Sequence, residues 1–239
     1  ATIVCSAAPP GGGRSELTER FVRHFEILCV PKPSKEVLTR IFSAILDGYL
    51  SAHAFSKEVQ LLSKGVVDSS IALYSDLKRE LLPIPAKSHY TFNLRDISKV
   101  FQGMLMCSAA NAKSKEQFVR LWLHESMRCF HDRLIDEADR QWFTERIQSY
   151  LPKSVPMTLE PETLIWGDFF VGSGDRSYCE LKEGGFTALN KILRGYLEEY
   201  NMESATPMKL VLFDDAMSHL LRIARILRQQ RGNAMLVGV

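Results

Sequence analysis

The order of apolar and polar residues in the central part of the chain is typical of helices that bury one face. Between Val37 and Leu50, apolar residues recur in pairs four positions apart, which places them on one stripe of a helix. Further helical stretches are predicted at residues 56–82, 93–105 and 114–130, and prolines or polar turns separate several of them. The middle of the chain is therefore predicted to be a helical bundle.

Signals for helix ends define further helices. Ser114 is followed three residues later by Gln117, a capping box that predicts the beginning of a helix. Residues 136–151 form another helical stretch, which ends before Pro152, and helix is predicted again at 187–201. The last predicted helix covers 214–232: its first residues are acidic, its last turns are rich in arginine, and Gly232 is predicted to close it.

Short apolar runs outside the bundle predict strands. Residues 1–8 and 27–30 are β-prone and lie on either side of a short predicted helix, and 234–239 reads as a buried strand. Residues 152–185 are rich in proline, glycine and short apolar runs, so a small hairpin or an irregular connector is predicted there. The expected fold class is mainly α, a helical bundle flanked by short β segments.

Composition narrows the class of protein. The 239 residues carry a formal net charge of +2, which gives no indication of binding to nucleic acid or to a membrane surface. Five scattered cysteines without a C-x-x-C pair predict neither a disulfide framework nor a zinc site, and no apolar run is long enough to span a membrane. We expect a soluble intracellular chain. It begins without Met, and both ends look cut from something longer.

The search for catalytic motifs finds one incomplete candidate. A phosphate-binding loop needs G-x-x-x-x-G-K-[ST] between a strand and a helix, and the stretches "PPGGGRS" and "VGSGDRS" both lack it. If Gly238 were the first glycine of such a loop, its Gly-Lys would lie beyond Val239. "LHESMR" resembles a zinc motif, but Arg128 occupies the second histidine position, and His124 with His131 lacks a third ligand.

Arginines are the remaining candidates for binding anions. Arg20 and Arg23 would share one face of a helix, where most arginines are solvated. Arg95 begins a helix, where an anionic partner would offset its unfavourable interaction with the helix dipole, although a salt bridge is the default interpretation. Three arginines recur every third residue of the last helix and are interpreted as a solvated or inter-domain face: Arg222, Arg225 and Arg228.

Five stretches, in order, resemble a dynein heavy chain of the axonemal type: "SAAPPGGGR...LTERFVRHFE", "KSHYTFNLRDISKVFQGML", "LWLHESMRCFHDRL", "IWGDFF" and "LVLFDDAMSHLLRIARILRQQRGNAMLVGV". The resemblance runs from end to end and implies a segment of the AAA+ motor ring. Residues 1–33 would end the α/β half of the third module, and 34–151 would be its helical lid. Residues 152–208 would be a connector with remaining lid elements, and 209–239 would begin the fourth module.

The resemblance also implies roles for individual residues. Arg20 and Arg23 match the stretch that holds the arginine finger, which acts on the nucleotide of the preceding module. Arg95 matches the second nucleotide sensor. Ala8 stands where cytoplasmic dyneins have an asparagine that orients water, and an alanine side chain cannot do this, which puts hydrolysis at the third site in doubt. The fourth module's nucleotide site would take its adenine-lining segment and its first glycine from this chain: Leu210, Val211, Leu212, Phe213 and Gly238.

By the same resemblance, the parent protein is an ATP-driven, minus-end-directed microtubule motor of the ciliary or flagellar axoneme, working with ATP or ADP and Mg²⁺. This segment, without complete Walker A and Walker B motifs, is expected to be inactive and to bind no nucleotide tightly. Its partners would be the remaining AAA+ modules, whereas microtubules and the dynein intermediate and light chains would contact other parts. The alternatives are a non-catalytic helical adaptor or the lid region of another AAA+ machine, such as a clamp loader or protease unfoldase.

Overall fold

The structure is a computed structural model that describes residues 2–7, 16–171 and 176–236. Ala8 and Gly238, two of the predicted site residues, lie outside these ranges. Helices account for most of the described residues. None of these helices is long and apolar enough to cross a membrane.

The helices and strands follow one another in an order that places the small sheet late in the chain. The α-helices are α1 (Glu19–Val22), α2 (Lys35–Ala52), α3 (Lys57–Gln60), α4 (Ser63–Glu80), α5 (Leu94–Met104), α6 (Lys115–Cys129), α7 (Glu137–Ser149), α8 (Gly185–Glu203) and α9 (Asp214–Arg228). The strands are β1 (Trp166–Gly167) and β2 (Cys179–Glu180). Short 3₁₀ turns lie at Pro85–Lys87, His131–Arg133 and Pro161–Thr163.

Internal contacts divide the chain into two units, Ala1–Ser34 and Lys35–Val239. The first unit contains α1, which buries no residue. The strands predicted at 1–8 and 27–30 are wrong for the residues described there, which are irregular. Their apolar side chains are exposed: Ile3, Val4, Ile27, Leu28 and Val30. A strand is stable only when paired, and the described part of this unit offers no neighbouring strand to pair with.

The second unit is the predicted helical bundle. Helix α2 buries one stripe against the other helices, made by Leu38, Phe42, Leu46 and Leu50. The stripe is narrower than the sequence pattern suggested, because Val37, Ile41 and Ile45 remain 44–46% exposed. On the buried side, Phe42 stacks on Phe101 of α5 with 4.5 Å between ring centroids.

Capping interactions set the beginnings of the central helices. The capping box of Ser114 and Gln117 is confirmed, with the Gln117 N–H donating to Ser114 Oγ over 3.2 Å. Helix α5 begins in the same way, since the side chains of Asn93 and Asp96 form a second capping box. The single helix predicted at 56–82 is divided into α3 and α4 by a two-residue turn, in which Leu61 is exposed and Leu62 is buried.

A small hairpin forms within the connector, as the sequence predicted for 152–185. Strands β1 and β2 pair antiparallel, with Trp166 opposite Glu180 and Gly167 opposite Cys179. Helices α8 and α9 pack beside it around a separate apolar cluster that contains Ile165, Leu189, Leu193 and Met217. This cluster packs the last two helices against the connector within the second unit.

The end of the chain differs from its prediction in two respects. Residues 233–236 are irregular, and Met235 and Leu236 are exposed, so the strand predicted at 234–239 is absent from its described part. Helix α9 ends at Arg228, before Gly232, and Arg231 is the residue with the left-handed backbone (φ 59°). Residue 232 must be a glycine for a different reason: its backbone lies so close to the last turn of α9 that a Cβ would be 1.7 Å from the Ile226 carbonyl oxygen. The mainly α fold class with short β segments is confirmed, although the strands predicted near the two ends of the chain are absent from the residues described there.

Candidate functional site

The arginine face of α9 contacts the helical bundle through ion pairs. Arg225 contacts Glu125 of α6, Arg222 Nε lies 3.2 Å from Asp132 Oδ2 just beyond α6, and Arg228 Nη1 lies 3.7 Å from Asp168 Oδ2 beside β1. The sequence left open whether these arginines were solvated or faced another domain. They face another part of the fold. We call the contact between α9, α6 and the β1 region the α6–α9 junction.

At the centre of the junction is a fully buried ion pair. The side chains of Glu125 and Arg225 are 0% and 7% exposed. Arg225 Nε donates to Glu125 Oε2 over 2.9 Å, and Arg225 Nη2 contacts the same oxygen. The other carboxylate oxygen accepts a hydrogen bond of 2.8 Å from the Tyr178 hydroxyl. Both oxygens are therefore satisfied, which a buried charge requires.

A glycine on α5 makes room for this pair. A Cβ on Gly103 would lie 1.7 Å from Glu125 Oε2 and 3.0 Å from Arg225 Nη2. Any side chain at this position would occupy the space of the carboxylate. Three helices thus meet at one ion pair: α5 supplies the space, α6 the anion and α9 the cation.

The electrostatics keep the groups around the pair in fixed protonation states. Burial lowers the pKa of the Arg225 guanidinium, but the charge of Glu125, the hydrogen bond to it and the other acidic groups nearby together outweigh burial, so the pKa is raised. Burial, followed by the Glu125 charge, raises the pKa of Tyr178 well above its usual value. Burial raises the pKa of the neighbouring Cys129 thiol to about 12. Near neutral pH the phenol and the thiol stay protonated.

The outer part of the junction has a second set of charges. Asp132 lies between two arginines, with Arg128 Nη1 at 3.3 Å and Arg222 Nε at 3.2 Å. On the other side of Arg225, Arg228 Nη2 donates to the Arg176 carbonyl oxygen over 2.9 Å. Successive turns of α9 therefore contact three different segments, which fixes the position of α9 along α6.

The predicted arginine-finger candidates lie in the first unit. Arg20 belongs to α1 and Arg23 follows it directly, and both are exposed. Arg23 Nε donates to His24 Nε2 over 3.3 Å. Exposed guanidinium groups are available to a partner, and their assignment to the finger stays a prediction.

The predicted second sensor begins α5. The Arg95 N–H donates to Asn93 Oδ1 over 2.8 Å within the helix cap, and its side chain is exposed. Within the described ranges, its guanidinium forms no ion pair. The default salt-bridge interpretation therefore has no support among these residues, and Arg95 remains free to meet an anion.

The segment predicted to line the adenine site, Leu210–Phe213, lies directly before α9. Leu212 packs against the apolar cluster of α8 and α9, and its carbonyl oxygen accepts a hydrogen bond of 3.1 Å from Asn190 Nδ2. The other three side chains are exposed. A cavity of about 740 Å³ is lined by residues of α8 and α9, among them Asn190, Asp214 and Met217, and the residues of this segment are not part of its lining.

The histidine and the glutamate of the zinc-like motif make buried contacts within the fold. His124 is buried, with Nδ1 3.0 Å from the Leu164 carbonyl oxygen, and burial lowers its pKa well below 6.5. In the ranges that the structure describes, no group of three or more His, Cys, Asp or Glu side chains is arranged to hold a metal. Sequence reasoning missed Glu125, the glutamate of this motif, although one signal was present: it stands in a helix whose neighbours are largely apolar, "LWLHESM".

Comparisons with known proteins agree with this architecture. A family model described as the AAA+ lid domain matches residues 66–163, and one described as the P-loop containing dynein motor region D4 matches 208–239. Dynein axonemal heavy chain 6 of Homo sapiens is 43% identical over 100% of this chain, and dynein axonemal heavy chain 1 of Mus musculus is 41% identical over 99%. Dynein axonemal heavy chain 12 of Mus musculus is 38% identical over 99% of this chain. The chain spans 6% to 8% of the length of these relatives.

Most of the helical bundle thus matches an AAA+ lid domain, and the segment that contains α9 matches a dynein motor region. More narrowly, the chain belongs to the dynein heavy chains of the axonemal type and is a segment of their motor ring. The full-length match to these relatives disfavours both the helical adaptor and the other AAA+ machines considered from the sequence.

Proposed function

We propose that this segment transmits conformational changes from the third module to the fourth module of an ATP-driven axonemal motor. The observation that supports it is the α6–α9 junction, in which a buried ion pair joins the lid to the helix that begins the next module. Residues packed in this way move as one body. A displacement of the lid would then carry α9, and the chain that follows it, in the same direction.

Nucleotide sensing would enter this coupling through arginines. Arg95, exposed and without an ion pair among the described residues, would bind phosphate oxygens of a nucleotide with its Mg²⁺ at the third site. Arg20 or Arg23 would approach the nucleotide of the preceding module as the arginine finger. At Ala8 the side chain cannot position water, so we propose that the third site is regulatory and gates ATP turnover elsewhere in the ring.

The rest of the proposal concerns the parent protein. Its ring would drive minus-end-directed movement along microtubules in ciliary or flagellar axonemes, and the partners of this segment would be the neighbouring modules. Leu210–Phe213 and Gly238 would contribute to the nucleotide site of the fourth module. The segment alone would neither hydrolyse ATP nor bind it tightly.

The coupling is tested in the intact heavy chain with Arg225→Met. We expect microtubule gliding velocity and microtubule-stimulated ATP turnover to fall, while nucleotide binding at the third site is retained, because the variant breaks the junction and leaves Arg95 untouched. Arg228→Met is the matched comparison, since it makes the same change one turn further along α9, where the arginine is 40% exposed and its ion pair of 3.7 Å should contribute little, so we expect a much smaller effect. Unchanged motility in a correctly folded Arg225→Met motor would refute the coupling.

Sensing is tested separately with Arg95→Ala. This variant should weaken nucleotide binding at the third site and leave the α6–α9 junction intact. The matched control is Lys99→Ala, which removes a cation from an exposed position of the same helix, outside its cap. Unchanged nucleotide affinity and motility in Arg95→Ala would eliminate its role as sensor.

A further inference from the structure

A second cavity lies beside the buried ion pair and has no role in the proposed coupling. It has a volume of about 200 Å³ and lies between α6, the turn after α6, residues 161–165 and α9. Its polar and charged lining includes His124, Arg128, His131, Asp132, Glu162 and Arg222. A cavity of this size and polarity has room for one small ion together with a few waters.

The charges around this cavity do not balance. Arg128, Arg222 and Arg225 contribute three positive charges, whereas Asp132 and Glu125 contribute two negative ones. Glu162 also lines the cavity, but it is exposed, and no ion pair joins it to the arginines within the described residues. Apart from the exposed Glu162, these groups therefore carry one more positive than negative charge, and an additional anion would lower the cost of keeping them away from water.

Both arginines in the lining of the cavity have an N–H group that donates no hydrogen bond within the described part of the chain. The Nε–H groups of Arg128 and Arg222 are buried and lack a hydrogen-bond acceptor within the described part of the chain. The contact of 3.2 Å between Arg222 Nε and Asp132 Oδ2 is an ion pair without the alignment of a hydrogen bond. Burial, together with repulsion from Arg222 and Arg225, lowers the pKa of Arg128 in spite of the nearby Asp132. An anion that accepted hydrogen bonds from these two Nε–H groups would stabilise the charges of both arginines.

The same cavity also has two unused acceptors. Asp132 Oδ1 and His124 Nε2 are buried without a hydrogen-bond donor among the described residues. The His124 ring is neutral and its Nδ1 faces the Leu164 carbonyl oxygen, so Nδ1 carries the proton and Nε2 is an acceptor. An ion that accepts from the arginines and also donates one hydrogen bond would satisfy both sets of atoms.

We propose that this cavity is a binding site for one small protonated oxyanion of the phosphate class. Its oxygens accept hydrogen bonds from Arg128 and Arg222, and its P–OH group donates to Asp132 or His124. Sulfate has the same shape but no proton to donate at neutral pH, so the site discriminates against it. The inference does not rest on the proposed coupling, since it concerns only the local charges and atoms of this cavity.

Titration of the whole 239-residue chain with inorganic phosphate, followed by calorimetry, tests the site. We expect binding of one phosphate, with sulfate at the same ionic strength bound about tenfold more weakly. A parallel titration with O-phosphoserine distinguishes two sources of the ion. If O-phosphoserine binds with an affinity comparable to that of inorganic phosphate, the natural ligand is a phosphate monoester; if only inorganic phosphate binds, it is the free ion. No binding at millimolar phosphate would show that the cavity holds only water and would overturn the proposal.

Variants make the test specific to this cavity. Arg222→Met should weaken phosphate binding about tenfold or more, because it removes one charge-assisted hydrogen bond, while Arg228→Met on the same helix should leave it unchanged. Glu162→Gln is expected to increase the phosphate affinity, since it removes a carboxylate that repels the anion. Glu162 is exposed, so we expect this substitution to leave folding unchanged. Equal phosphate affinity in all three variants would place the ion elsewhere and refute this site.

Discussion

Replacing Arg225 by methionine should destabilise the chain far more than an ordinary surface substitution. Glu125 would remain fully buried, with the Tyr178 hydroxyl as its nearest remaining donor. Breaking a buried ion pair by removing one partner costs about 3–5 kcal/mol, because the other charge is left uncompensated. Domains are stabilised by only about 5–15 kcal/mol in total, so this one side chain would remove a large share of the free energy of unfolding.

Urea unfolding, followed by circular dichroism, measures this loss. The control is Arg228→Met, whose arginine side chain is 40% exposed and lies 3.7 Å from Asp168, so we expect a cost below about 1 kcal/mol. The double variant Glu125→Gln/Arg225→Met should recover part of the loss, because it removes the uncompensated charge. A cost below about 1 kcal/mol for Arg225→Met, or a double variant less stable than the sum of the single ones, would refute the reasoning.

Three further predictions concern groups around the same pair. Gly103→Ala should cost about 2 kcal/mol in urea unfolding, because its Cβ would overlap Glu125, and a gain in stability would show that the carboxylate can move. Tyr178→Phe should cost about 2 kcal/mol in the same assay, since Glu125 loses a hydrogen bond, and a neutral result would contradict the observed contact. The lowered pKa of His124 means that the unfolded chain binds a proton below about pH 6.5 and the folded chain does not, so stability falls as the pH drops from 7 to about 5. His124→Asn should reduce this pH dependence, and an unaltered pH profile would exclude His124 as its source.

The helices could be predicted from the sequence because their signals are local. Ser114 and Gln117 form their capping box within one turn, and the buried stripe of α2 repeats with the period of the helix. Neither signal needs a distant partner. The break between α3 and α4 was missed because Leu61 and Leu62 are apolar and continue the pattern through a turn.

The features that failed to be predicted depend on residues far away in the sequence. The strands at 1–8 and 27–30 were inferred from composition, but a strand also needs a neighbour, which composition cannot supply. Arg225 looks like any arginine of a polar helix face, and only its approach to Glu125 distinguishes it from Arg228. The sensor and finger assignments to Arg95, Arg20 and Arg23 rest on the resemblance, and their exposed positions leave them as predictions.

The separation of the two central residues along the chain has a consequence for biosynthesis. Arg225 follows Glu125 by 100 residues, so a ribosome adding about 5–20 residues per second makes the arginine roughly 5–20 s after the glutamate. During that interval Glu125 has no Arg225 to pair with, so its carboxylate must stay hydrated to keep its charge. The ion pair between α6 and α9 can therefore form only after α9 has left the ribosome, several seconds after α6 has been synthesised.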